Sequence, residues 1–187
     1  MRVIAGAAKG TRLVAPAGGT RPTTDRVREA VFSVLAGWAG AGGDEPQRQL
    51  SGLAVLDLFA GSAAVAIEAA SRGAGPVVAV DVAEAAVRAA RRNVAAADVG
   101  VLVVRAAAAD YLLRAGPSFD IIWLDPPYEQ PMDDVLAGAA GRLAAGGLLV
   151  AERSSRTPEP WLPPGLEMAW VRRYGETVVY FAREGKP

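Results

Sequence analysis

The run Asp125-Pro126-Pro127-Tyr128 follows the apolar stretch 119–124 directly, and its residue types suit one kind of chemistry. A proline pair has no backbone N–H groups and cannot continue a strand. The chain must therefore leave the sheet at this point, carrying a carboxylate, a proline carbonyl and an aromatic ring into the same crevice. Two acceptors and one flat face can grip a planar exocyclic amine, the oxygens taking its N–H bonds and the ring stacking on its π system. Methyl transfer to such an amine is the reaction this set fits.

Two further acids stand at the ends of apolar runs. Asp57 lies in the run 53–59, which turns at Gly61-Ser62 into a helical pattern. The dinucleotide fingerprint G-x-G-x-x-G is absent, because residues 61–66 read Gly-Ser-Ala-Ala-Val-Ala. A pyrophosphate needs those glycines so that backbone amides can approach it. An acid before the turn suits instead a ligand with an ammonium or sulfonium group, and S-adenosylmethionine has both. The same segment fits a simple helix-capping turn equally well. Asp81 ends the run 76–81, where an acid can accept from both ribose hydroxyls. A strand-end Asp is also an ordinary cap for the helix that follows.

Composition narrows the alternatives. The chain of 187 residues has no cysteine and no histidine. Disulfides, thiolate nucleophiles, Cys-ligated metals and a histidine general base are thereby excluded. No metal is expected. No apolar run approaches the length of a bilayer span, and no signal-peptide pattern opens the chain, so a cytoplasmic protein with no membrane partner is expected. Residues 1–38 hold six basic residues (Arg2, Lys9, Arg12, Arg21, Arg26, Arg28) against two acids, and the remainder has fourteen basic against eighteen acidic. That imbalance fits either contact with a polyanion at one end or a solvated helix face.

The elements that must position these residues are legible in the periodicity. Two short apolar runs before residue 15, split by a Gly-containing pentapeptide, predict a β-hairpin or a loose arm. Residues 23–37 predict a helix, with Thr23 or Thr24 as cap and Gly37 as stop. Residues 39–52 predict a loop. From 53 onward strands (53–59, 76–81, 101–105, 119–125, 147–153) alternate with helices (62–72, 83–97, 109–115, 132–145). Such alternation implies a doubly wound, mostly parallel sheet of the α/β class. The runs 166–174 and 177–184, joined at Gly175-Glu176, predict a C-terminal antiparallel hairpin. The expected organisation is an arm and helix over 1–38, a loop over 39–52 and a catalytic domain over 53–187. Trp123 is expected in the core, and Glu68 to pair with Arg72 one helical turn on.

Taken together, the opening 2–13, the segment Arg21 to Leu35, the turn 55–74, the run 119–128, residues 146–153 and the close 172–181 resemble the RsmD-type family. That family methylates guanine N2 in bacterial 16S ribosomal RNA. The resemblance implies a Rossmann-like class I methyltransferase fold with S-adenosylmethionine as cofactor. The substrate would be 16S rRNA, within an assembling 30S particle, and the enzyme a monomer. By resemblance, Asp57 and Gly61 face the methionine end of the cofactor, Phe59 and Ser62 belong to the same turn, and Asp81 holds the ribose. Asp125, Pro126 and Tyr128 hold the target base, and Arg12, Arg21, Thr23, Thr24, Arg26 and Arg28 lie near the RNA. The chain departs from the family pattern at Ala63 and Ala66, where glycines are usual, and at Ala107, where an adenine-binding acid or amide is usual and Asp110 stands three residues later. A positive φ at Ala63 would cost about 1–2 kcal/mol. An adenine-N6 nucleic-acid methyltransferase, or an assembly module with weakened cofactor binding, are the competing readings.

Overall fold

A computed structural model describes residues 1–16, 24–127 and 132–185. Seven strands form one sheet: β1 (Val55–Leu58), β2 (Val77–Asp81), β3 (Leu102–Arg105), β4 (Phe119–Leu124), β5 (Leu143–Ser154), β6 (Leu166–Tyr174) and β7 (Thr177–Glu184). Their order is β3-β2-β1-β4-β5-β7-β6. The first five are mutually parallel, while β7 runs antiparallel to both β5 and β6. The doubly wound sheet and its terminal hairpin are thus as the alternating pattern implies.

Among the described residues, five α-helices cover the sheet: α1 (Asp25–Trp38), α2 (Ala64–Ser71), α3 (Glu84–Ala97), α4 (Ala108–Leu113) and α5 (Asp133–Ala140). On one face a single apolar cluster joins Val3 and Leu13 of the arm, Val31, Phe32 and Leu35 of α1, and residues of α2 and α3. On the other, Leu112 of α4 and Leu136 of α5 pack on Leu56, Ile122 and Leu149. The alternation of strand side chains feeds both cores. Trp123 is buried and stacks on Phe32 at 6.3 Å between ring centroids, so the core reading of this residue holds. Among the described residues, no helix is long and apolar enough to cross a membrane.

One expectation needs correction. The helix expected over 132–145 ends at Ala140, and Leu143 instead pairs with Phe119 as the start of β5. Residues 142–145 carry a helical spacing, but strand pairing and the Gly146-Gly147 break override it. Of the two readings of the first segment, the hairpin-like one holds. Arg2 and Arg12 form an antiparallel bridge, and the bridged segment is docked on α2 and α3. Gly6 shows how close the docking is: a Cβ there would stand 1.9 Å from the Ser71 carbonyl oxygen. Within the expected loop 39–52, Leu50 is fully buried and its amide donates to the Arg72 carbonyl at 2.9 Å.

Candidate active site at the strand ends

Register brings the three acids to one edge. Leu58 of β1 pairs with Val80 of β2 on one side and Leu124 of β4 on the other. Asp81 and Asp125 are the next residues along their strands, so they flank the turn that leaves β1. Strand order reverses between β1 and β4, which is where open α/β sheets form their ligand crevice.

The turn itself is unusual in its backbone. Phe59, Gly61 and Ala63 all have positive φ, at 61°, 54° and 59°. For the two non-glycine residues this costs on the order of 1 kcal/mol each, and such strain concentrates at ligand sites. The positive φ at Ala63 agrees with the sequence expectation. That at Phe59 had no local signal, since a bulky residue is among the least expected there. Space beside Gly61 is open, with no atom within 4 Å of where a Cβ would stand. The methyls of Ala63 and Ala66 are wholly buried in the core on the α2 side. They do not line that open space.

Asp57 is 2% exposed, and its Oδ2 accepts from the Ala66 amide at 3.1 Å. The capping alternative is therefore realised, because the carboxylate reaches across to the third amide of α2, whose own N-cap Ala63 has no side-chain oxygen to offer. Burial pushes the Asp57 carboxyl up to about 7; the Ala66 hydrogen bond opposes that shift and the Asp81 charge adds to it. Asp81 is half-buried. Its Oδ2 accepts from the Gly61 amide at 2.8 Å and its Oδ1 from the Ala83 amide at 2.8 Å. A pair of acids beside an open turn, one of them buried at a cost in desolvation, fits a cationic ligand and not a pyrophosphate.

At the end of β4, Asp125 is half-buried, Pro126 is buried and Pro127 is exposed. Tyr128 lies outside the described residues, as do Arg21 and Thr23. Ala107 starts α4 just beyond β3, and Asp110 is exposed in that helix's first turn.

The residues assigned to RNA divide. Arg12 and Arg26 are exposed on the arm and on α1. Thr24 is exposed and caps α1, its Oγ1 accepting from Val27 N at 3.3 Å. Arg28 is a correction: it is 0% exposed and cannot reach a phosphate. Its Nη2 donates to the Arg2 carbonyl and to Asp25 Oδ1 at 3.0 Å, and its Nε lies 3.9 Å from Glu68 Oε2. Glu68, also fully buried, accepts from Arg72 Nε at 2.8 Å, as the helical spacing foretold. It also accepts from the amides of Ile4 at 2.7 Å and Ala5 at 3.0 Å, which no local pattern could show. Asn93 was missed as well. It lies on the buried stripe of α3 with Ala86, Ala90 and Ala97, and a polar residue at that spacing was the available signal.

Comparison with known proteins bears on the family and the fold. A family model described as "Conserved hypothetical protein 95" matches residues 1–183. The Bacillus subtilis protein "Putative rRNA methyltransferase YlbH" is 35% identical over 188 residues, covering 96% of each chain. "Ribosomal RNA small subunit methyltransferase D" of Escherichia coli K12 is 31% identical over 168 residues, covering 87% of this chain and 79% of its own. The solved structure "Putative methyltransferase yhhF from Escherichia coli" superposes with a TM-score of 0.82 at 27% identity, over 100% of this chain and 99% of that one. The chain belongs to the RsmD-type methyltransferase family. In this RsmD-type chain the acids and the strained turn stand at the carboxyl edge of the α/β sheet.

Proposed function

We propose that the protein uses S-adenosylmethionine to methylate the exocyclic N2 amine of a guanine in 16S rRNA, acting on an assembling 30S particle in the cytoplasm. The observation that carries this reading is the placement of Asp125-Pro126 across the β1/β4 switch point from the turn that holds Asp57. When bound, S-adenosylmethionine supplies a methyl already activated by its sulfonium. Asp57 and the Gly61 turn would hold its cationic methionine end, and Asp81 its ribose hydroxyls. Asp110, or the backbone near Ala107, would meet the adenine.

The amine of guanine is a poor nucleophile, because its lone pair is delocalised into the ring. Asp125 and the Pro126 carbonyl would accept its N–H bonds, drawing the nitrogen toward tetrahedral and opposing the positive charge that develops there. Holding the amine in line with the methyl supplies much of the remaining rate. Asp125 can also accept from guanine N1–H, which adenine lacks. Tyr128 would stack on the base once it leaves its helix or loop. Asp125 or water takes the proton released after methylation. Arg12 and Arg26, both exposed, would contact phosphates, which position the RNA without specifying its sequence. One relative is named as a putative rRNA methyltransferase and the other as a methyltransferase of small-subunit ribosomal RNA, which supports this choice of RNA. The inward-facing methyls of Ala63 and Ala66 support a working cofactor turn over a module that has lost turnover.

The test is nucleoside analysis of 16S rRNA from cells with and without the protein. N2-methylguanosine should be lost with it. Loss of N6-methyladenosine instead would transfer the assignment to the adenine reading.

A further inference from the structure

The side chain of Asn93 is 1% exposed and makes three hydrogen bonds, none of them within its own helix. Its Oδ1 accepts from the Val14 amide at 2.9 Å. Its Nδ2 donates to the Val14 carbonyl at 2.9 Å and to the Ser62 carbonyl at 2.9 Å. One buried amide thus ties the arm, just before its basic segment, to the turn between β1 and α2. A second contact joins the same two parts, Ser62 Oγ lying 3.8 Å from Met1 Sδ.

The Ser62 carbonyl is a sensitive point to hold. Its peptide is flanked by Gly61 and Ala63, both at positive φ, so its direction depends on the strained conformation of the turn. A ligand that fixes that conformation fixes this carbonyl. Asn93 can donate to Ser62 and clasp Val14 in both directions only when turn and arm are each in place. Breaking any of the three bonds would leave a buried polar group unsatisfied, so the network favours all or none.

We infer that Asn93 is a positioning residue that couples the N-terminal arm to the cofactor turn, so that loading the turn with the methyl donor and ordering the arm for RNA reinforce one another. This rests on the reading of the 59–63 turn as the cofactor site. By linkage the effect is reciprocal: an ordered arm raises donor affinity by the factor by which bound donor favours the ordered arm. The enzyme would then present its arm to RNA preferentially when charged with donor.

The test uses the full-length protein and S-adenosylhomocysteine, with three readouts: calorimetric affinity, hydrogen exchange at the Val14 amide, and thermal melting. In the wild type, saturating ligand should slow Val14 exchange on the order of ten-fold, although Val14 belongs to the arm and not to the turn. In Asn93→Ala, Val14 exchange should be fast with or without ligand, and affinity should fall on the order of ten-fold. Glu68→Gln disturbs the other end of the arm, at Ile4 and Ala5, and should leave the ligand dependence at Val14 in place. Tight binding to the wild type without change at Val14 would overturn the coupling alone, whether or not the variants fold. Failure of the wild type to bind the ligand would overturn the cofactor reading and the coupling with it.

Discussion

Asp81 and Asp125 occupy equivalent places, one residue past the same register on either side of β1, yet the backbone treats them differently. Asp81 accepts from the amide two residues on, Ala83, and from the Gly61 amide across the turn. The residue two positions after Asp125 is Pro127, and the one between is Pro126; neither has an N–H to offer. The short Asx turn that closes Asp81 is therefore unavailable to Asp125. The same contrast holds for Asp57, which already accepts from the Ala66 amide. On the proposed cofactor side, acids are tied into the fold by amide donors. On the β4 side, Pro126 and Pro127 offer carbonyl acceptors but no amide donor. In the reading proposed above, the double proline is thus more than a strand breaker: it withholds the next two amides of the chain from the carboxylate.

The largest effect should come from removing the footing of the cofactor side. Glu68→Ala leaves Arg28 and Arg72 without their buried partner and frees the amides of Ile4 and Ala5. Loss of one member of a buried ion pair costs about 3–5 kcal/mol, read as a lower midpoint in urea unfolding. A cost below about 1 kcal/mol would show that the arm is not held through this carboxylate.

Asp57 should show its burial through pH. Its folded-state value, raised to about 7 from 3.8, means that the folded protein holds this proton more tightly than the unfolded chain. The stability from this group is therefore fully present below pH 3.8 and lost as pH rises through about 7, a swing of up to ~4 kcal/mol. Other carboxylates respond in the opposite sense, so the informative quantity is the difference from Asp57→Asn. The variant should gain on the wild type between pH 4 and pH 8, and an unchanging difference would mean that Asp57 is ionised throughout.

Asp125→Ala tests the other side of the contrast. Turnover should fall by about 10²–10³, the cost of removing one preorganised group that meets developing charge. S-adenosylhomocysteine affinity should stay within about two-fold, since a two-fold change is only ~0.4 kcal/mol. A large loss of ligand affinity would place Asp125 on the cofactor side and dissolve the distinction.

These contrasts explain what the sequence made legible. The alternation of apolar runs and amphipathic stretches carried the doubly wound sheet and its terminal hairpin, because each element buries a face set by its own period. The three strand-end acids were visible for the same reason. Roles that depend on distant partners were not. Arg28 looked like one more cation on a basic helix, but Glu68, forty positions away, draws it inside. Asn93 drew no reading at all, and it is Val14, seventy-nine positions back, that gives its buried amide a partner under the arm. Leu143 carried a helical spacing and lost it to pairing with Phe119. Local pattern reports which face is buried; it does not report which remote backbone needs a hydrogen bond.

Pro127→Ala addresses the proline argument directly. It restores an N–H at the position from which Ala83 closes on Asp81, so the new amide can compete for Asp125. Pro127 is exposed, and the change should leave stability nearly untouched. Turnover should drop on the order of ten-fold, about 1.4 kcal/mol in barrier, with ligand affinity unchanged. Wild-type turnover would mean that the second proline serves only to end the strand.

The smallest effect is expected at Ala63, where two terms nearly cancel. Its φ of 59° is strained by about 1–2 kcal/mol for a residue with a Cβ, which Ala63→Gly would relieve. The same change removes a fully buried methyl worth about 0.8 kcal/mol and adds the chain entropy of glycine, roughly 0.5–1 kcal/mol. The melting temperature should therefore move by no more than about 2–4 °C for a chain of this size. S-adenosylhomocysteine affinity should be equal or better, because the turn keeps its open side at Gly61 and adopts its bound shape with less strain. A sharp loss of affinity would show that the methyl, packed into the core behind the turn, is what sets the turn's shape. The cofactor side would then owe its geometry to packing and not to the hydrogen bonds of its acids.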